Sequence, residues 1–381
     1  MKRSGKLLFL TGVAVLVLIA AIFSSQRQEA VPELERATLF PAFRYAVNEA
    51  GTIALRSGGR TLTIARNADQ WLIAEADNYP ADLAKIRKLL LEVADLKVIE
   101  EKTSNPERYA TLGVQDPNAD QTESTVVEIK DAKGGQQVSL IVGKRQLSGA
   151  AGGNPGRYVR LAGKNQALLV TGPLDAPADV ASWLVAELLN IDPARVGEVR
   201  IEHPDGGKVE LNAADNGDMI LANLPADKEP KAPTVLNRMK DVLQNIRIEN
   251  VMRGDAAALP APHTVTTIGT VDGLIVRVES GAIKDTTWVS FNFEYDPASA
   301  EAAQAAKTAD AAKGDKAIDA KEDDAVVPEN STLDVKKEVA ELQLKTAGWL
   351  FKLPDYQLEL LTRTLDKLSQ DKVADGEKQE G

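Results

Sequence analysis

The feature that most constrains this chain is a pattern that occurs twice. Residues 61–98 read as two short strands and an amphipathic helix. The strands are 62–64 and 71–73, with a polar turn at 67–69 between them. Pro80 and Asp82 then open a helix, and its apolar positions are Leu83, Ile86, Leu89, Leu90, Val93 and Leu96. Spacings of three and four put these side chains on one stripe that needs a core to cover it. Further along, strands 209–211 and 219–221 flank a polar turn at 212–218. A second helix there carries Val235, Leu236, Met239, Val242, Leu243 and Ile246. At an offset of 150, Ile86, Leu89, Val93, Leu96 and Val98 meet Leu236, Met239, Leu243, Ile246 and Ile248. Five apolar matches in helical phase favour an internal duplication, with convergent amphipathicity as the competing explanation.

Both halves continue in the same order. In the first, residues 105–113 form a short capped helix. Asn105 is its N-cap, Pro106 takes the first helical position, Glu107 suits the positive end of the dipole, and Gly113 supplies the left-handed stop. Strands at 125–130 and 137–142 are joined by Lys133, Gly134 and Gly135. Strands at 157–161 and 167–170 follow, then a helix over 177–189 with Val180, Leu184 and Leu188 on one face. In the second half, 253–259 stands where the capped helix was. A hairpin over 264–270 and 274–279 turns at Asp272 and Gly273, and a strand follows at 286–294. Strands at 339–344 and 349–353 and a helix capped by Asp355, bearing Leu358, Leu361, Leu365 and Leu368, complete it. Residues 297–329 are rich in Ala, Lys and Asp and read as an exposed, mobile insertion.

Short strands joined by tight turns favour antiparallel pairing. The expected class is α+β: two duplicated halves of mostly antiparallel sheet covered by helices, preceded by one N-terminal transmembrane helix. The expected divisions are 1–30 (basic end, membrane anchor and spacer), 36–193 (first repeat), 195–370 (second repeat, with the insertion 297–329) and 371–381 (polar tail). The anchor rests on residues 7–23, which carry no charge and follow Lys2, Arg3 and Lys6. Positive charge before the span holds that end in the cytoplasm and sends the rest across, so the chain reads as a single-pass inner-membrane protein with a periplasmic body. A cleavable signal peptide is the competing reading, although Ser24, Ser25 and Gln26 make no small-residue cleavage site.

Composition narrows the chemistry. Cysteine is absent, which excludes disulfides, thiolate metal sites and cysteine nucleophiles. Net charge is −11 with no basic stripe, which argues against nucleic acid. The two histidines, His203 in a hairpin turn and His263 at a strand start, lack partners at metal-ligand spacing and read as solvated turn residues. The glycine-rich loop 149–156 joins two strands rather than opening a helix, so it is a hairpin loop and a candidate contact surface, not a phosphate loop. Glu100, Glu101, Glu107 and Asp116 single out no glycosidase-like pair. Glu107, Arg108 and Tyr109 form either a recognition patch or a structural connector with Tyr109 partly buried. Residues 120–123 are a polar loop, and Trp183 and Trp349 belong to the core. No catalytic, cofactor-binding or metal residue is singled out.

The run Lys102-Thr103-Ser104-Asn105-Pro106-Glu107-Arg108-Tyr109, then Leu112-Gly113-Val114 and Asp116-Pro117, resembles the recurring motif of the bacterial family named for domain of unknown function 4340. Trp71, Leu96-Lys97-Val98, Val142-Gly143-Lys144 and Arg157-Tyr158-Val159 support the resemblance, which is close over 61–189 and looser beyond. It implies a membrane-anchored, extracytoplasmic protein encoded near ABC transporter components of the gliding-motility auxiliary type. It implies a partner and no activity. The expected function is a non-enzymatic accessory or scaffold of an ABC-type transport assembly. The alternative is an envelope glycan- or lipid-binding module using a cleft between the halves, and a hydrolase with a carboxylate pair ranks last.

Overall fold

The computed structural model describes residues 37–117, 124–146, 156–185, 187–301 and 331–372. The expected anchor at 7–23, the glycine-rich loop except Gly156, the loop at 120–123, most of the insertion and nearly all of the polar tail lie outside them. Among the described residues no helix is long and apolar enough to cross a membrane.

In chain order the strands of the first half are β1 (Ala50–Ser57), β2 (Arg60–Asn67), β3 (Gln70–Ile73), β4 (Tyr79–Pro80), β5 (Val98–Glu101), β6 (Thr125–Asp131), β7 (Gln136–Gln146), β8 (Gly156–Leu161), β9 (Ala167–Thr171) and β10 (Glu187–Leu189). Those of the second are β11 (Val196–Glu202), β12 (Lys208–Ala213), β13 (Met219–Leu221), β14 (Lys228–Pro230), β15 (Ile246–Arg247), β16 (Asn250–Arg253), β17 (Thr264–Thr270), β18 (Leu274–Ile283), β19 (Thr286–Tyr295), β20 (Trp349–Lys352) and β21 (Ser369–Asp371). The helices are α1 (Pro41–Ala46), α2 (Leu83–Ala94), α3 (Tyr109–Leu112), α4 (Pro233–Asn237), α5 (Ser331–Thr346), α6 (Asp355–Leu361) and α7 (Leu365–Leu368). Residues 297–301, the described start of the insertion, are helical as well.

The class is α+β with mostly antiparallel sheets. The nine-stranded sheet has the order β4-β3-β2-β1-β6-β7-β8-β9-β5, and the eight-stranded sheet the order β13-β12-β11-β17-β18-β19-β20-β16. With β4 set aside, the two orders are the same walk through the same elements, so the halves are repeat-like. Two short ladders, β10 with β15 and β14 with β21, complete the pairing. Among the described residues, one compact unit holds those up to Ala50, Arg56–Gly59 and those within Arg87–Ala176, and the other holds Gly51–Leu55, Arg60–Ile86 and those from Pro177 on.

Local chemistry explains the elements. Alternate residues of β17 are buried, as a strand with one covered face requires. In α2, Asp82 caps the first turn by accepting from the Ala84 N–H at 2.9 Å. Ile86, Leu89, Leu90, Val93 and Leu96 are buried as the spacing predicts, whereas Leu83 is exposed. The second-half helix is shorter than expected. It is one turn of α4 continued as a 3-10 helix over Arg238–Leu243. Its buried residues are Leu236, Met239, Val242 and Leu243, of which the first three recur at the three-residue repeat of a 3-10 helix.

Three expectations are corrected. Residues 177–189 form a single 3-10 turn, Ala181–Trp183, and then β10. Asp179 caps that turn and the Trp183 indole N–H donates to the Pro177 carbonyl at 2.8 Å, which closes it before a helix can propagate. Residues 339–344 lie inside α5 rather than in a strand, with Val335, Leu342 and Thr346 buried on one helical face. The terminal helix is split into α6 and α7, and Asp355 is its first residue rather than its cap. β1 was not anticipated, and Gly58 and Gly59 join it to β2 in a two-residue turn at φ 53° and 72°.

Burial of a leucine contributes about 1.5–3 kcal/mol and its truncation in a core costs about 2–5 kcal/mol. Leu89→Ala is therefore expected to lower the thermal midpoint of the first unit's melting by several degrees. Leu91→Ala, two positions on and 54% exposed, is expected to leave it unchanged. Equal effects in differential scanning calorimetry contradict the assigned face of α2.

Candidate functional site

The motif around residues 102–117 folds into a plug on the outer face of the first sheet. Asn105 Oδ1 accepts from the Glu107 N–H at 3.0 Å and starts the 3-10 turn Pro106–Arg108, which α3 continues. Gly113 ends α3 in the left-handed region at φ 66°. Tyr109 is buried and its hydroxyl donates to the Asn165 carbonyl. Over its ring lies the guanidinium of Arg160, 4.6 Å from the centroid. Arg160 is 3% exposed, and it donates to the carbonyls of Val114 and Lys164, each at 2.9 Å. Its remaining nitrogen lies 2.9 Å from Asp116 Oδ2, without the alignment of a hydrogen bond. Tyr109, Val114, Val126, Ile141 and Ala167 make the apolar cluster beneath. The turn approaches β7 so closely that a Cβ on Gly143 would stand 2.4 Å from the Leu112 carbonyl oxygen. That position therefore admits glycine alone.

The second half repeats this arrangement with different contents. Asp255 Oδ1 accepts from the Ala257 N–H at 3.0 Å, as Asn105 does from Glu107, and starts the 3-10 turn Ala256–Ala258. β17 and β18 pair Thr264 with Ser280 as β6 and β7 pair Thr125 with Val142. The glycine after each lies under the turn: a Cβ on Gly281 would meet Leu259 Cβ at 3.4 Å. The register then matches the cross-strand pair Ile141 and Arg160 with Glu279 and Ser290. Where Arg160 fills the first half, the second leaves a cavity of about 480 Å³, lined among others by Asp255, Glu279, Ser290, Asn292, Gln343 and Trp349.

A second cavity of about 440 Å³ is lined among others by His263, Thr264 and Ser280, and His263 contacts Glu279 of the first cavity's wall. His263 Nε2 lies 2.6 Å from Glu279 Oε2, and Arg277 donates to Oε1 at 2.9 Å. Burial pushes the Glu279 pKa up, but the bonds from Arg277 and His263 outweigh it and hold the carboxyl below its ordinary 4.5. His263 Nδ1 is buried without a partner. One nitrogen of this imidazole is thus engaged by Glu279 and the other is enclosed. Elsewhere in the second unit, Arg195 donates two bonds to Glu338, at 2.9 and 2.7 Å, and one to Asp272 at 2.8 Å, which raises its pKa and ties α5 to β11 and β17.

Of the residues weighed in the sequence, both histidines have partners rather than being merely solvated. His203 Nε2 lies 3.3 Å from the Arg363 carbonyl, and His263 has Glu279. Glu107 and Arg108 are exposed, while Tyr109 is buried as a connector. Glu100 pairs with Lys102 and Asp116 with Arg160, so these carboxylates do not converge. Trp183 and Trp349 are core. At the described ends of the glycine-rich loop, Arg145 and Arg157 both pair with Asp175. Sequence reasoning missed Arg160, Asp255, Glu279 and Ser290. A signal for one contact existed, because extending the 264–270 hairpin by one residue brings His263 diagonal to Glu279.

Because the Glu279 carboxyl titrates below its unfolded value, its contribution to stability is complete above about pH 4.5 and lost as pH falls further. The thermal midpoint of the second unit is expected to drop between about pH 5 and pH 3. Glu279→Gln is expected to lower the midpoint at neutral pH and to shrink that drop. An unchanged pH profile in the variant contradicts the assignment.

No curated protein and no solved structure gives a significant match to this chain. Residues 71–266, just over half of the chain, match the family described as Domain of unknown function (DUF4340). That span takes in α2, the Asn105 turn, Gly143, Arg160 and the Asp255 turn, and on this match the chain belongs to that family.

Proposed function

We propose that this chain is a non-enzymatic interaction module: an inner-membrane-anchored, periplasmic accessory or scaffold of an ABC-type transport assembly. One observation carries the interaction role. Three residues of the motif are spent on holding the fold: Asn105 caps the turn, Tyr109 stacks with Arg160, and Gly143 lies under the turn. The motif therefore builds a frame, and the surfaces free to meet a partner are those in which the halves differ. Among the described residues these are the exposed Glu107 and Arg108 beside α3, and the sequence adds the glycine-rich loop and the insertion as candidates. The charge-free run at 7–23 and the resemblance of the motif supply the location and the class of partner.

A second reading, an envelope glycan- or lipid-binding module, has the cavity of the second half in its favour, since two aromatic rings and two side-chain amides line it. Melting of the chain with envelope glycans and lipids measures it, and a uniformly unchanged midpoint counts against it.

For the leading reading, a photo-crosslinking residue at Arg108, and another within 149–156, is expected to capture a transporter subunit from native membranes. Mass spectrometry of the adducts identifies it. Adducts that contain only this chain or soluble proteins contradict the reading.

A further inference from the structure

The cavity of the second half stands where the first half stores an arginine. The match rests on the capping residues Asn105 and Asp255 and on one strand alignment that brings together the glycines Gly143 and Gly281 and the cross-strand pairs ending in Arg160 and Ser290. Replacing arginine by serine removes the guanidinium, and the turn of three alanines adds nothing to fill its place. A volume of about 480 Å³ lies within the range of small-molecule sites, about 300–1,000 Å³.

The lining has a definite polarity. Its charged members are Asp255 and Glu279, and no lysine or arginine lines it. Gln343 donates its amide to the Phe293 carbonyl at 2.7 Å and so turns an acceptor oxygen to spare. Thr346 likewise spends its proton on the Leu342 carbonyl at 2.9 Å. Glu279 is shared with Arg277 and His263, but Asp255 has no ion-pair partner among the described residues and accepts only the Ala257 N–H through Oδ1. One face of the Trp349 ring already takes the Arg253 guanidinium, at 4.0 Å from its centroid.

We propose that this cavity binds a cationic hydrogen-bond donor, an alkyl guanidinium or primary amine, in the place that Arg160 fills in the first half. The donor is either a free small molecule or an arginine side chain of a partner. Its charge is met by Asp255 and its N–H groups by Ser290, Gln343 and Thr346. The inference does not depend on the transport assembly.

Isothermal titration of the full chain tests it with agmatine, with an arginine residue blocked at both ends, with n-butylurea as the neutral analogue, and with glucose. Agmatine or the blocked arginine is expected to bind saturably, at least about tenfold more tightly than n-butylurea. A free ligand is indicated if agmatine binds better, and a partner's side chain if the blocked arginine does. Two variants install the first half's own residues. Ser290→Arg is expected to abolish binding. Asp255→Asn keeps the cap, as Asn105 does, and is expected to weaken binding about tenfold. The proposal is overturned by the absence of saturable binding, by equal affinity for n-butylurea, by glucose binding in place of the cations, or by affinities that neither variant changes.

Discussion

Much of the first half depends on one close approach, the seating of the Asn105 turn on Gly143. The turn supplies backbone carbonyls and the strand supplies space, because no Cβ stands between them. That contact creates the pocket into which Arg160 folds back, against Tyr109 and beneath Val114. Taking an ion out of water costs several kcal/mol, and that cost is offset only where acceptors are already in position. Here the carbonyl of Val114, the face of Tyr109 and the carboxylate of Asp116 are positioned by the turn and the residues that follow it, and the carbonyl of Lys164 by the β8–β9 connection. The guanidinium in turn binds 114–116 to β8. Fold and plug are therefore one interdependent arrangement.

The second half keeps the frame and changes the contents. Its turn is capped by Asp255, its strand glycine is Gly281, and its sheet follows the same order. Stability there comes from other sources. Arg195 joins α5 to the sheet through two carboxylates, and the ring of Phe291 packs against those of Phe293 and Phe351 with centroids 6.3 and 6.0 Å away. With those contacts in place the arginine of the plug is dispensable, and the space it vacates is open to another use. This is how a repeated frame acquires a site: the copy that no longer needs an interaction to hold itself together leaves its cavity lined by acceptors.

The frame was legible in the sequence for local reasons. The hairpins carry alternation and turn glycines, as at Gly134 and Gly273, and α2 carries an unbroken apolar stripe. The capped turn at Asn105 was read residue by residue. Other features depended on distances in sequence that periodicity does not cross. Leu342 and Leu344 alternate like a strand within a short window, yet Leu344 is 84% exposed, and the helix is set by Val335, Leu342 and Thr346 over a longer span. Residues 177–189 carry a helical stripe, but one side-chain bond from Trp183 to Pro177 closes the first turn. The cavity was invisible because it is defined by a missing side chain. Ser290 becomes informative only after strand register sets it beside Arg160.

The central claim is that Tyr109 and Arg160 act as one plug whose loss leaves the state seen in the second half. A double-mutant cycle tests it directly, with Tyr109→Leu and Arg160→Ser giving the first half the residues found at the matching positions, Leu259 and Ser290. The account predicts that each single change is strongly destabilising and that the pair costs less than their sum, with a coupling of about 1 kcal/mol or more in denaturant unfolding. Additive effects within about 0.3 kcal/mol contradict it, because the ring and the guanidinium then stabilise the half independently.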